Sequence, residues 1–199
     1  NISGLPLDVV GRAIGDLIAE NGPVAMQYGS GQGTPELREQ ICEIMRLEGI
    51  DAHPDDVVVT VGSAGAFACI VLATLNPGDE CIVFSPFYSY HVNTMRLFGV
   101  NVRFVDLRPP DWSFDLAEVE AAFTPKTKMI LLCTPANPSG KVFSEEELRA
   151  IAGVAKRHNV WIATDEIYEY ITYGTPHVSI GRLPEAKDRT LTMSGGSKT

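Results

Sequence analysis

The sequence predicts an α/β protein with a mostly parallel sheet, on three observations. Largely apolar runs at residues 57–61, which is wholly β-branched, 128–133 and 160–164 show no polar alternation, as expected of strands covered on both faces. Stretches with apolar residues at helical spacing separate such runs. Several runs end in loops of small residues or prolines, and ligands of open parallel sheets bind at the carboxyl ends of the strands.

Composition narrows the function classes. A chain of 199 residues with 45% hydrophobic content is long enough to bury a core of single-domain size. A net charge of -9 without basic runs argues against nucleic acid or an anionic membrane as partner and favours small-molecule chemistry. Cys42, Cys69, Cys81 and Cys133 are widely spaced and have no histidine at metal-ligand spacing. They are expected to be free thiols of a reducing compartment, and no metal is expected. The most apolar stretch, residues 64–75, is too short to span a bilayer, and no signal-peptide pattern opens the chain, so a soluble cytoplasmic protein is expected. The chain opens without Met and stops just after a candidate lysine, so it is expected to be a segment of a longer polypeptide.

In chain order, Val10, Ile14, Leu17 and Ile18 lie at helical spacing within residues 6–20, and Gly22-Pro23 ends that amphipathic helix. A glycine-rich loop carrying Tyr28 follows. Tyr28 has two readings, packing on the domain or contributing to function. Thr34-Pro35-Glu36 then supplies an N-cap, a first-turn proline and a first-turn acid for a helix ending near Gly49. The run 57–61 predicts a strand buried on both faces, leading through Gly62-Ser63-Ala64-Gly65 into an apolar helix. Strands over 80–84 and 100–107 flank a helix reaching residue 99, and Asp115 caps a helix to Phe123. Strand 128–133 precedes the capping box Ser144-x-x-Glu147, which opens a helix to His158. Strand 160–164 follows, and Thr190-Leu191-Thr192 is the last strand.

The strand ends gather groups with chemistry. The small-residue strand-to-helix turn at Ser63 and Ala64 has two readings, an anion site whose backbone amides take a phosphate, or ordinary tight strand-to-helix packing. Tyr88, after the second predicted strand, is placed to stack on a flat ring. Prolines on both sides of Asn137 fix the backbone around one amide side chain. Asp165 stands just past a buried strand, where a carboxylate needs a cationic partner unless it merely caps a helix. Lys198 lies in the small-residue loop Ser194-Gly195-Gly196-Ser197; a lysine amine attacks carbonyls once burial lowers its pKa from about 10.4.

Taken together, Tyr28-x-x-x-x-Gly33-x-x-x-Leu37-Arg38, Asn137-Pro138-x-Gly140, Asp165-x-x-Tyr168 and Ser197-Lys198-Thr199 resemble the pyridoxal-phosphate-dependent aminotransferases of class I and II, fold type I. The resemblance covers the whole chain. It implies the three-layer αβα large domain of aspartate aminotransferase-like enzymes, cut before the C-terminal small domain, with residues 1–34 leading into a cofactor-binding large domain over 35–199. It implies pyridoxal 5'-phosphate as cofactor, with Lys198 forming the Schiff base and moving the substrate Cα proton. Asp165 is implied as partner of the pyridine nitrogen, and Asn137 and Tyr168 as partners of the ring phenolate oxygen. Tyr88 is implied as the stacking ring, Ser63 and Ala64 as phosphate donors, and Tyr28 as a donor to the neighbouring subunit's phosphate in a homodimer. Many relatives carry a hydroxyl residue three before the lysine to hold phosphate; here Gly195 stands there, Ser194 and Ser197 are the candidate substitutes, and Ser197 is assigned. The phosphate-binding and carboxylate-binding arginines of the family fall beyond Thr199.

The reaction implied first is transfer of an amino group from an L-amino acid to a 2-oxo acid. Carbon–sulfur lyases and aminocyclopropane-carboxylate-type synthases share these residues, and some transcription regulators carry an aminotransferase-like sensor domain. These remain the alternatives at this stage.

Overall fold

The structure, a computed structural model, describes residues 7–198. Pro6, the expected start of the first helix, and Thr199 of the lysine motif lie outside the described residues. The element order is α1 (Leu7–Asn21), α2 (Pro35–Leu47), α3 (Gly62–Thr74), β1 (Glu80–Ser85), α4 (Ser89–Leu97), β2 (Asn101–Asp106), α5 (Leu116–Ala121), β3 (Thr127–Cys133), α6 (Glu145–His158), β4 (Trp161–Asp165) and β5 (Thr190–Met193). Every strand pair is parallel, in the order β2-β1-β3-β4-β5. The mostly parallel αβα architecture expected from the sequence is what is observed.

Side-chain alternation divides the core between two layers. Cys81 and Val83 of β1, Met129 and Leu131 of β3, Ala163 of β4 and Met193 of β5 pack with Phe67 and Val71 of α3 and Val92 and Met95 of α4. Ile82 and Phe84, Ile130 and Leu132, and Ile162 face the other way, against Val119 of α5 and Leu148, Ile151, Val154 and Ala155 of α6. Because both faces are covered, these strands carry no polar alternation.

Local signals set the helix ends as expected. The Thr34 side chain accepts from Leu37 N, and Asp115 accepts from Ala117 N. Both halves of the Ser144/Glu147 capping box are formed. The helix after Asp115 stops at Ala121, short of Phe123.

One expectation needs correction. Residues 57–61 form no strand: Val59 N bonds only to Gln32 O, Gly62 N turns back to Thr60 O, and Val58 and Val61 are exposed. A run without polar alternation becomes a buried strand only with strand neighbours and covering layers, and among the described residues it has neither. The amphipathic α1 forms, but it buries none of its residues, leaving Leu7, Ile14, Leu17 and Ile18 in solvent.

Gly33, in the loop before α2, is required twice over. Its φ is 99°, and a Cβ there would lie 2.5 Å from Val59 Cγ2. Gly33→Ala in the intact protein is therefore expected to cost about 1–3 kcal/mol, read from the urea midpoint.

Candidate active site

The sheet order creates the site. From β1 the chain steps outward to β2, then returns to place β3 on the opposite side of β1 and continues through β4 to β5. That reversal opens a crevice at the carboxyl ends of β1 and β3. A small cavity occupies it, lined by Pro86, Tyr88, His91, Cys133, Ala136 and Asn137. Asn137 and Tyr88 thus line one cavity. Peptide bonds before Pro86, Pro135 and Pro138 in these two loops are cis.

At the centre lies a pair that the sequence reading missed. Asp165, the last residue of β4, is 4% exposed, and its Oδ2 lies 3.0 Å from His91 Nε2. Its Oδ1 accepts from Ile167 N at 3.2 Å. The buried carboxylate is thus met by the imidazole of α4 on one oxygen and by a backbone amide of its own turn on the other. His91 is itself clamped: the Phe67 ring lies 4.7 Å away edge-on, and Tyr88 stands perpendicular to it at 5.5 Å. Tyr88 keeps 41% of its surface in solvent, with the Tyr90 ring tilted beside it at 6.2 Å. The available signal was spacing: His91 follows Tyr88 by three residues at a helix start, which puts both on one face.

Above this pair, α3 begins at Gly62, so Ser63 and Ala64 occupy its first turn. Their amides have no acceptor among the described residues, and Val61 supplies no side-chain cap. Tyr90 Oη donates to Ala64 O at 2.8 Å and ties this helix start to α4. Asp165 pairs in register with Met193 of β5, and the loop leaving β5 carries Ser197, exposed, and Lys198, half-buried. No hydrogen bond or ion pair engages the Lys198 ammonium among the described residues. Tyr168, half-buried, sits in the turn after Asp165. Tyr28 is fully exposed, which excludes its packing on this domain.

Cys133 ends β3 beside Asp165, and burial pushes its thiol up to about 12, with the Asp165 charge adding to the effect. Both effects favour the thiol over the thiolate.

Glu169, in the turn after Asp165, has its carboxyl raised above the ordinary 4.5, first by burial. A hydrogen bond from Ser194 pulls it partly back, and the Glu166 charge pushes it further up. A raised carboxyl binds its proton more tightly in the fold than in the unfolded chain, so stability falls as pH rises through the window above 4.5. Glu169→Gln lacks this loss. Its Tm relative to the unmodified protein is expected to improve between pH 4 and pH 8, by about 1–3 °C at most for a half-exposed group.

Among the described residues, this parallel α/β domain thus gathers at adjacent strand ends a buried acid–histidine pair, a helix start with unpaired amides and a lysine without a described partner. A family model described as aminotransferase class I and II matches residues 1–199, and the chain belongs to that family. The aspartate/prephenate aminotransferase of Thermus thermophilus is 38% identical over 174 residues, covering 86% of this chain and 45% of the relative. Kynurenine–oxoglutarate transaminase 1 of Rattus norvegicus is 39% identical over 188 residues, covering 87% and 44% respectively. Among solved structures, the N-succinyldiaminopimelate aminotransferase of Mycobacterium tuberculosis superimposes with a TM-score of 0.88 at 33% identity, over 94% of this chain and 49% of that one. The chain thus spans about half the length of the proteins it matches.

Proposed function

We propose that this chain is the cofactor-holding part of an aminotransferase that moves an amino group from an L-amino acid to a 2-oxo acid, with pyridoxal 5'-phosphate as cofactor. The observation that carries the reading is the buried Asp165–His91 pair at the end of β4, in register with the strand that leads to Lys198. The residues fit such a cofactor. A fixed carboxylate suits a protonated pyridine nitrogen, and the unpaired first-turn amides of α3 suit a phosphate. The half-open Tyr88 ring suits a planar group.

Bound there, the cofactor supplies an electron-withdrawing ring that stabilises negative charge at the substrate carbon. The chain's own groups do the rest. Lys198 would bond the cofactor through its ε-amine and hold or move a proton at the substrate Cα. Asp165 would face the ring nitrogen, with His91 holding Asp165 in place. Asn137 and Tyr168 would hold the phenolate oxygen, Tyr88 one ring face, and Ser63, Ala64 and Ser197 the phosphate. Residues 35–199 make up the cofactor-holding domain, with residues 1–34 as its lead-in. In a homodimer, the exposed Tyr28 reaches the neighbouring subunit's phosphate. No helix among the described residues is long and apolar enough to cross a membrane.

The test is the visible absorption of the intact protein before and after L-glutamate. A cofactor band that fades with the amino acid and returns with a 2-oxo acid supports the transfer reaction. A band that never interconverts overturns it in favour of a lyase or a sensor.

A further inference from the structure

We propose that Glu166 is a positioning residue for the transfer reaction: from the far face of the sheet it fixes the turn that presents Asp165 and Tyr168. This rests on the aminotransferase reading above. The alternation of β4 sends Ala163 toward α3 and α4, where Asp165 also meets His91, and sends Ile162 toward α5 and α6. Adjacent acids therefore leave the strand in opposite directions, and each is met by a histidine.

On the far face the Glu166 carboxylate is fully engaged. Thr164 Oγ1 and Ser179 Oγ each donate to Oε1 at 3.0 Å, and His177 Nε2 lies 3.0 Å from Oε2. The side chains of Glu166 and His177 are 1% and 5% exposed. His177 Nδ1 is buried without a partner, so the ring is held by its contact with Glu166. Such a buried network costs desolvation that an apolar pair of similar shape avoids, and its gain lies in fixing one geometry.

What it fixes is the turn. Glu166 N donates to Met193 O at 2.8 Å, Ile167 N donates to Asp165 Oδ1, and Glu169 N donates to Glu166 O at 2.8 Å. The Glu166 side chain is what ties this turn to Ser179 and His177. One turn further on, Ser194 Oγ donates to Glu169 Oε1 at 2.5 Å, which links the same segment to the loop bearing Lys198. Glu166, Glu169 and His177 also bring possible metal-ligand atoms within 4.8 Å of one another. The Glu166 oxygens are already taken by three donors, so the cluster is a closed hydrogen-bond network and not a cation site.

The experiment compares the intact, cofactor-loaded protein with Glu166→Ala, Glu166→Gln and Ser179→Ala. It reads Tm, kcat and KM for an amino donor, and the visible circular dichroism of the bound cofactor, at a temperature where each variant is folded. In Glu166→Ala, kcat is expected to fall about tenfold with KM changed less than about twofold, alongside an altered dichroic band. Glu166→Gln, which keeps the shape and the acceptor for Thr164 and Ser179, is expected to recover most of the loss, and Ser179→Ala to lose about threefold. Should Glu166→Ala not fold, the other two variants decide. A lowered Tm with unchanged kcat and dichroism overturns the inference, since Glu166 then serves stability alone. If the unmodified protein transfers amino groups while the variants match it, only this inference falls. If it binds no pyridoxal phosphate, the aminotransferase reading falls, and this inference with it.

Discussion

Lys198→Ala in the intact protein is expected to abolish covalent attachment of the cofactor and to lower turnover by about 10³-fold or more, the scale of losing a covalent catalytic group. The lysine is half-buried at the exit of β5, in a loop whose small residues leave room beside it, and no described residue competes for its ammonium. The measurement is borohydride reduction followed by mass spectrometry of the peptide containing position 198. Reduction that still attaches cofactor in the variant would show that another amine holds it. Because the substitution lies on a loop outside both core clusters, the Tm without cofactor is expected to stay within about 2 °C, which separates lost chemistry from lost folding.

Asp165→Asn is expected to produce the second largest effect, a fall in kcat of about 10²–10³-fold with the cofactor still bound, as seen when a charge acting on the reacting system is removed at constant shape. The amide keeps the volume and can still meet His91, so packing against Phe67 and Tyr88 is retained. Asp165→Ala is the harsher change, since it leaves His91 Nε2 buried and without its acceptor. The two variants together separate the charge from the hydrogen bond. Equal loss in both would mean that the charge is what matters, whereas an Asn variant with full kcat would remove Asp165 from the proposed chemistry. Absorption of the bound cofactor during the half-reaction with L-glutamate reports both.

The parallel α/β plan and most helix ends were legible in the sequence because their causes are local. Thr34, Asp115 and Ser144 cap their helices through side-chain bonds that reach two or three residues ahead. Apolar runs such as 128–133 mark strands covered on both faces, and β3 is such a strand. The order of motifs along the chain pointed to Asn137, Asp165, Tyr168 and Lys198, and the strand ends carry them in adjacent loops.

Residues 57–61 show where local pattern stops being informative. Their composition is that of a buried strand, yet a strand exists only where a neighbour supplies the ladder, and that is not a property of the run itself. The same reason hid His91. Its partner lies 74 residues away in the chain, and only the packing of α4 on the sheet brings imidazole and carboxylate together. Glu166 and His177 likewise meet because β4 turns successive side chains to opposite faces and the chain returns beneath it. Sequence alone therefore determined where most helices begin and which loops bear reactive groups, through interactions spanning a few residues. Which buried charge meets which partner was decided by tertiary structure, because a carboxylate removed from water is stabilised only by donors that the folded layers carry to it.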